Sequence, residues 1–277
     1  MAVYYYDVIL SFPNCKLFYT YIDREDDKMT IIFILTGNTE TSDTPGCKRR
    51  GSKMIDGIQV SDLLDTSKTI ARQIFENRTY VWEVLPDIQA FILELGPTLN
   101  PDEYNKVGED VWISKTAHVF PSAYIGGPCI IDHEAEIRHC AFIRGSAIIG
   151  KKAVVGNSTE IKNVILFDGV QVPHYNYVGD SVLGYKAHMG AGAITSNVKS
   201  DRTLTAVRVG DELLGTGMKK FGAIIGDHTE IGCNCVLNPA TIIGRNSVIY
   251  PLSMVRGFVP ALSIYKKQGE VIGRRTD

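Results

Sequence analysis

Residues 131–161 read IDHEAEIRHCAFIRGSAIIGKKAVVGNSTEI, and their period decides the fold. Every sixth position is aliphatic (Ile131, Ile137, Ile143, Ile149, Val155, Ile161), and the residue four places further on is small: Ala135, Ala141, Ala147, Ala153, Thr159. The series reaches back through Ile125, Val119 and Ile113. A phase slip of one carries it forward to Leu166, Val172 and Val178, and another to Leu183 and Met189. After an interruption it resumes at Ile225, Ile231, Leu237, Ile243, Ile249 and Val255, with Thr229, Cys235, Thr241, Ser247, Ser253 and Val259 as the small partners.

A period of six fits neither a helix nor a hairpin sheet; it suits a triangular prism in which each hexapeptide makes one flat side and one corner, about 18 residues to a coil. The aliphatic residue points inward, the small one packs near the corner, and Gly126, Gly150, Gly156, Gly226, Gly232 and Gly244 ease the bend. Sandwich strands would instead need alternation and turn signals every 8 to 12 residues or so. The expectation is an all-β chain whose residues 109–260 form a single-stranded left-handed β-helix, with an insertion loop at 195–222 carrying Arg202, Arg208, Lys219 and Lys220. Insertions of this kind project from one face, often the binding face.

Outside the repeat the pattern changes. Residues 1–53 hold no period of 2 or 3.6 and are expected to be a poorly ordered extension, with the natural protein beginning at Met54. Residues 54–108 read as a short α-helical cap: Ile70, Ile74 and Phe75 share one face, and Ile88, Phe91, Ile92 and Leu95 follow Pro86 and stop at Gly96. Two such helices make no core alone and are expected to close the open end of the solenoid. Residues 261–277 read as a C-terminal tail.

Lys+Arg of 29 against Asp+Glu of 31 gives a net charge of -2, without the basic field that nucleic acid or an anionic membrane demands. Six cysteines form no CxxC pair, no secretory leader is recognisable and no apolar run is long enough to span a bilayer, so a cytoplasmic protein is expected.

An 18-residue coil turns spacing into geometry. Arg144 and Lys162 stack on neighbouring coils, and two like charges held at strand spacing repel unless an anion lies between them, so they read as a phosphate clamp or as two solvated side chains. Twelve residues on lies Pro173-His174-Tyr175-Asn176-Tyr177-Val178-Gly179-Asp180, in which His174 can accept a proton near neutral pH. The γ-class carbonic anhydrases use this fold to hold zinc through three histidines, but His133 and His139 lie on successive sides here, and no metal is expected.

Gly156-Asn157-Ser158-Thr159-Glu160-Ile161-Lys162, His174 to Asp180, and Met189-Gly190-Ala191-Gly192-Ala193-Ile194-Thr195-Ser196-Asn197 together resemble the acetyltransferase half of the bifunctional glucosamine-1-phosphate acetyltransferase and N-acetylglucosamine-1-phosphate uridylyltransferase, intervals included, over about residues 110–260. The resemblance implies an acetyl-CoA-dependent transfer to an amino sugar or sugar phosphate, in a homotrimer. It makes His174 the general base, Arg144, Lys162, Tyr177 and Asn197 acceptor-binding residues, and Ala191 a neighbour of the thioester, with Gly192 in the same turn. His188 stands where the family has asparagine, Val198 where it has tyrosine and Cys233 where it has serine, so His188 falls to the acceptor and Cys233 to the cofactor side of an altered pocket. Lys220, or its neighbour Lys219, could reach CoA phosphates from the insertion or lie in a solvated loop. No nucleotidyltransferase domain is expected ahead of the repeats. The alternatives are a non-catalytic sugar-nucleotide binder on the same scaffold and a sugar-1-phosphate nucleotidyltransferase-like protein that lacks its nucleotidyltransferase domain.

Overall fold

The computed structural model describes residues 55–267 and 269–274 in full, and the backbone of three strands ahead of them. The chain divides into two compact units, Met1–Lys53 and Met54–Asp277. In the first, Tyr5–Phe12, Cys15–Ile22 and Thr30–Ile34 pair as an antiparallel meander, where the sequence reading finds no period; the rest of that segment lies outside the described residues.

The second unit is a left-handed β-helix. Short parallel strands stack into three sides. The first side runs from Val111–Ser114 through Cys129–Ile131 and Ala147–Ile149 to Ala223–Ile225, Thr241–Ile243 and Phe258–Val259. The second holds His118–Val119, Glu136–Ile137, Val154–Asn157, Gln171–His174, His188–Met189, Glu230–Ile231 and Val248–Ile249. The third holds Tyr124–Ile125, Phe142–Ile143, Ile194–Thr195, Val236–Leu237 and Met254–Val255. Glu160–Leu166 and Tyr177–Leu183 pass without a break from the third side to the first. These are the two coils on which the sequence slips phase, so a five-residue step makes the corner part of a strand. From Ile131 onward the inward aliphatic residues and their small partners are buried, whereas on the first coil Val119 is exposed and Ile113, Ala117, Ala123 and Ile125 are partly buried. Thr159, Thr229 and Ser247 each donate their hydroxyl to a carbonyl at a corner, which lets a polar side chain sit in the core.

The corners turn differently from the expectation. Glu134, Cys140, Ser146, Lys152 and Ser158, each three residues after the aliphatic one, take the left-handed conformation with φ between 51° and 59°. The glycines directly after the aliphatic residue have no positive φ; they are required by the next coil. A Cβ on Gly156 would lie 1.7 Å from the Pro173 carbonyl oxygen.

The cap differs too. Only Ile88–Leu95 is a helix of some length; Val60–Leu63 is one turn, and Thr66–Lys68, Arg72–Phe75 and Val81–Val84 are 3-10 turns. Nor do these elements close an end. They lie along the first side as a strap from the last coil to the first: Gly57 meets Phe258, Asp65 donates its amide to Asp227, Phe75 packs edge-on against Phe167, Trp82 approaches Phe221, and Gly96 packs on Trp112. The reason is legible in the first side's outward residues. Ile130, Ile148, Ile165, Val182, Ile224 and Ile242 are aliphatic and fully buried, whereas their counterparts on the second side include Glu136, Gln171, His188 and Glu230. An outward apolar column on a solenoid needs a cover, and the strap supplies it. The ends are closed by hairpins: Tyr104–Lys106 pairs antiparallel with Val111–Ser114, and Glu270–Gly273 with Ser263–Lys267, which the sequence reading leaves in the tail but which joins the second side. No helix among the described residues is long and apolar enough to cross a membrane.

Candidate functional site

Two corners carry the residues singled out from the sequence, and the third side lies between them. At the corner from third side to first, the phase slips bring Lys162, Asn163 and Asp180 together, with Asn197 one coil further on. Asp180 is 4% exposed and accepts from three groups: Lys162 Nζ at 3.4 Å, Asn163 Nδ2 at 3.0 Å and Asn197 Nδ2 at 2.5 Å. Asn197 Nδ2 also lies 3.2 Å from the Tyr177 hydroxyl. That hydroxyl lies over Gly179, whose Cβ would be 2.5 Å from it. Burial first, and the Asp180 charge second, push the Tyr177 phenol above its ordinary value.

Phe142 pairs with Glu160 and Ile143 with Ile161, which puts Arg144 over Lys162 as the spacing predicts. The charge argument, however, changes. Arg144 Nη1 holds Glu160 Oε1 at 2.8 Å, as Lys162 holds Asp180. Each cation has its own carboxylate, so the pair requires no external anion. Glu160 and Asp180 are the members that sequence reasoning missed. Their signal was present in the spacing, since each lies 16 to 18 residues from the cation it meets.

At the corner from second side to third, His174 ends the strand Gln171–His174 with its side chain exposed. Its carbonyl accepts from the Gly192 amide at 3.0 Å, which lays the Gly190 to Gly192 turn over it. Asn176, 3% exposed, holds the corner: its Oδ1 accepts from the His174 amide, and its Nδ2 donates to the carbonyls of Gly190 and Ala193. Gly190 donates its amide to Ile231 and Gly192 to His174; among the described residues the Ala191 amide has no backbone acceptor. Cys233, exposed and unpaired, lies on the next coil against Gly190, whose Cβ would be 3.0 Å from its Sγ. His174, Ala191, Gly192 and Cys233 thus share one corner.

Two residues fall elsewhere. His188 lies in the second side, its Nδ1 2.8 Å from Glu230 Oε2. Lys220 pairs with Val198 at the base of the insertion, beside Asn197 at the Asp180 corner, away from Ala191 and Cys233 within the chain. The insertion itself is a hairpin of Ala206–Val209 and Glu212–Gly215, with Val207 fully buried. Among the described residues, no cluster of three or more histidines, cysteines and carboxylates is placed to hold a metal ion.

Two family models match parts of the solenoid that carries these corners. Residues 222–257 match the family model for the bacterial transferase hexapeptide (six repeats), and residues 125–214 that for the GMPPB C-terminal domain. The chain is similar to a bifunctional sugar-1-phosphate nucleotidylyltransferase/acetyltransferase of Sulfurisphaera tokodaii, 36% identical over 35% of this chain and 24% of that one. It is also similar to the bifunctional protein GlmU of Methanococcus maripaludis, 34% identical over 43% of this chain and 29% of that one. The chain thus spans about a quarter of the length of the curated relatives it matches. Among solved structures it is similar to a mutant of AntD, an N-acyltransferase from Bacillus cereus in complex with dTDP-4-amino-4,6-dideoxyglucose and coenzyme A, with TM-score 0.34 and 19% identity over 61% of this chain and 82% of that one. It is also similar to the acetyltransferase domain of PglB from Neisseria gonorrhoeae with acetyl coenzyme A, with TM-score 0.28 and 17% identity over 66% and 76%.

Proposed function

We propose that the protein is an acyl-CoA-dependent acyltransferase, an acetyltransferase in the first instance, acting on an amino sugar or sugar phosphate. The observation that carries this reading is the His174 corner: an exposed histidine whose carbonyl holds a glycine turn in which, among the described residues, the Ala191 amide has no acceptor. In the reaction the acceptor nitrogen or hydroxyl attacks the thioester carbonyl while His174 takes its proton, and the Ala191 N–H donates to the oxyanion. Collapse expels the CoA thiolate, which recovers the proton as the thiol. CoA supplies the activated acyl group, with Gly192 and Cys233 flanking its path and Lys220 reaching its phosphates from a neighbouring copy; Arg144, Lys162, Tyr177 and Asn197 serve the acceptor, with His188 outside that cluster on the second side.

A homotrimer completes the site. Base and acceptor cluster lie on opposite edges of the third side, and Tyr124, Phe142 and Met254 leave that side with an exposed apolar stripe that a second copy would cover. The corner of one copy would then face the acceptor corner of the next.

The test is a screen of amino-sugar phosphates and nucleotide-linked amino sugars with acetyl-CoA, following thiol release. His174→Ala should lower turnover of the active acceptor by about 10²- to 10⁴-fold with CoA affinity unchanged. Full activity in that variant would remove the base from the mechanism, and no thiol release with any acceptor would leave the scaffold as a binder.

A further inference from the structure

The hairpin of residues 206–215 and the acceptor corner enclose a cavity of about 440 Å³ that no role above uses. Ser196, Asn238, Lys199, Asp201, Arg208 and Arg256 are among the residues that line it. The two arginines come from different elements, and the hairpin packs next to Arg256: the Cβ position of Gly257 lies 3.5 Å from Arg208 Cβ. Arg256 follows the inward residue Val255 as Arg144 follows Ile143 and Lys162 follows Ile161, so it occupies the same column of the solenoid.

Their electrostatics separate them from the neighbouring cations. Arg144 has Glu160, Lys162 has Asp180, and Lys199 has Asp201 at 3.3 Å. Among the described residues, no ion pair engages Arg208 or Arg256. Two exposed guanidinium groups, each with five N–H donors, thus line one cavity without a carboxylate partner of their own, since Asp201, which also lines it, is paired with Lys199. The hairpin that presents Arg208 is fixed at its base, where the Thr205 amide and hydroxyl both donate to the Met218 carbonyl.

We propose that this cavity binds a diphosphate diester, and that the acceptor is therefore a nucleoside-diphosphate-linked amino sugar rather than a sugar monophosphate. This rests on the acyltransferase reading above for the identity of the sugar end. CoA carries the same linkage. Position favours the acceptor: Ser196 directly precedes Asn197, whose Nδ2 contacts Tyr177 and Asp180, whereas the glycine turn over His174 lies at the other corner. A sugar among Lys162, Tyr177, Asp180 and Asn197 would present its anomeric phosphates to the arginines. Asn238 and the hairpin remain for the nucleoside.

The full chain is titrated calorimetrically with UDP, GDP, dTDP and, separately, CoA. At least one nucleoside diphosphate should bind, and Arg208→Ala and Arg256→Ala should each weaken it by about tenfold, with CoA affinity and melting temperature unchanged. Arg→Lys at either position should recover part of the loss, since charge remains while the planar fork is lost. The proposal is overturned if none of the diphosphates binds more tightly than about 1 mM. It is equally overturned if the alanine variants weaken CoA and spare the nucleotide, which would give the cavity to the cofactor. Transfer to sugar monophosphates without nucleotide binding would sink this inference and keep the acyltransferase. Arginine-dependent nucleotide binding without any acyl transfer would keep the diphosphate site and sink the acyltransferase.

Discussion

Asp168 and Asp227 sit at the same corner of the prism, four and more coils from where the chain enters it, and both use a carboxylate to cap backbone amides: Asp168 accepts from Lys151 at 2.9 Å, Asp227 from Tyr185 at 2.7 Å and from Asp65 in the strap at 2.7 Å. Burial is the largest influence on each and raises both carboxyls above their ordinary range, despite those hydrogen bonds. A group whose proton is held more tightly in the folded chain than in the unfolded one favours folding while it is protonated. That contribution is complete below the ordinary value of 3.8 and is lost as pH rises through the raised folded value. Asp168→Asn keeps an oxygen for the Lys151 amide and removes the titration. It should melt above the wild-type chain at pH 7 and lose that advantage on acidification toward pH 4; a difference independent of pH would count against the buried charge as its cause.

At the scale of the element, the hexapeptide coil depends on what it leaves out as much as on what it packs. Gly156→Ala should cost about 3 kcal/mol or more, because a Cβ 1.7 Å from the Pro173 carbonyl can be accommodated only by parting two coils. Gly215→Ala, on the hairpin with nothing within 4 Å, should stay within about 0.5 kcal/mol. Urea unfolding of the two variants decides it, and similar midpoints would mean that the coils are more compliant than their stacking implies. The repeat itself was open to sequence reading because the inward position recurs regardless of what lies outside. The glycine's task was not, since an intolerable approach between coils and a sharp turn both write glycine at the same position. The strap escaped for a related reason. Its 3-10 turns carry no lasting period, and its partner is not a neighbour in sequence but a column of outward residues, Ile130, Ile148, Ile165 and Val182, which shows only when every third hexapeptide is compared. Of the site, His174, the Gly190 to Gly192 turn, and Arg144 over Lys162 were legible from spacing and resemblance. Glu160 and Asp180, which neutralise the two cations, were not, because a period weighted on apolar positions passes over the polar residues at its corners.

On the scale of the whole molecule, Met54–Asp277 carries its own core and its own closures at both ends. Deleting residues 1–53 should leave melting temperature and assembly unchanged; a drop of many degrees would tie the two units together. Light scattering of either form at micromolar concentration should give the mass of three chains, and Phe142→Glu, which places a charge in the exposed stripe of the third side, should shift it toward one. A monomer before substitution would refute the shared site. The strap also has a bearing on biosynthesis. It leaves the ribosome before any strand it covers, yet its first contact is with Phe258 and its last with Trp112. While coils accumulate on the nascent chain, their oily flank faces solvent, with the segment meant to sheathe it already made but unable to finish docking until the terminal coil emerges. Such high contact order makes the half-synthesised protein a natural client for chaperones, and vectorial folding of the solenoid ends with the segment that was translated before it.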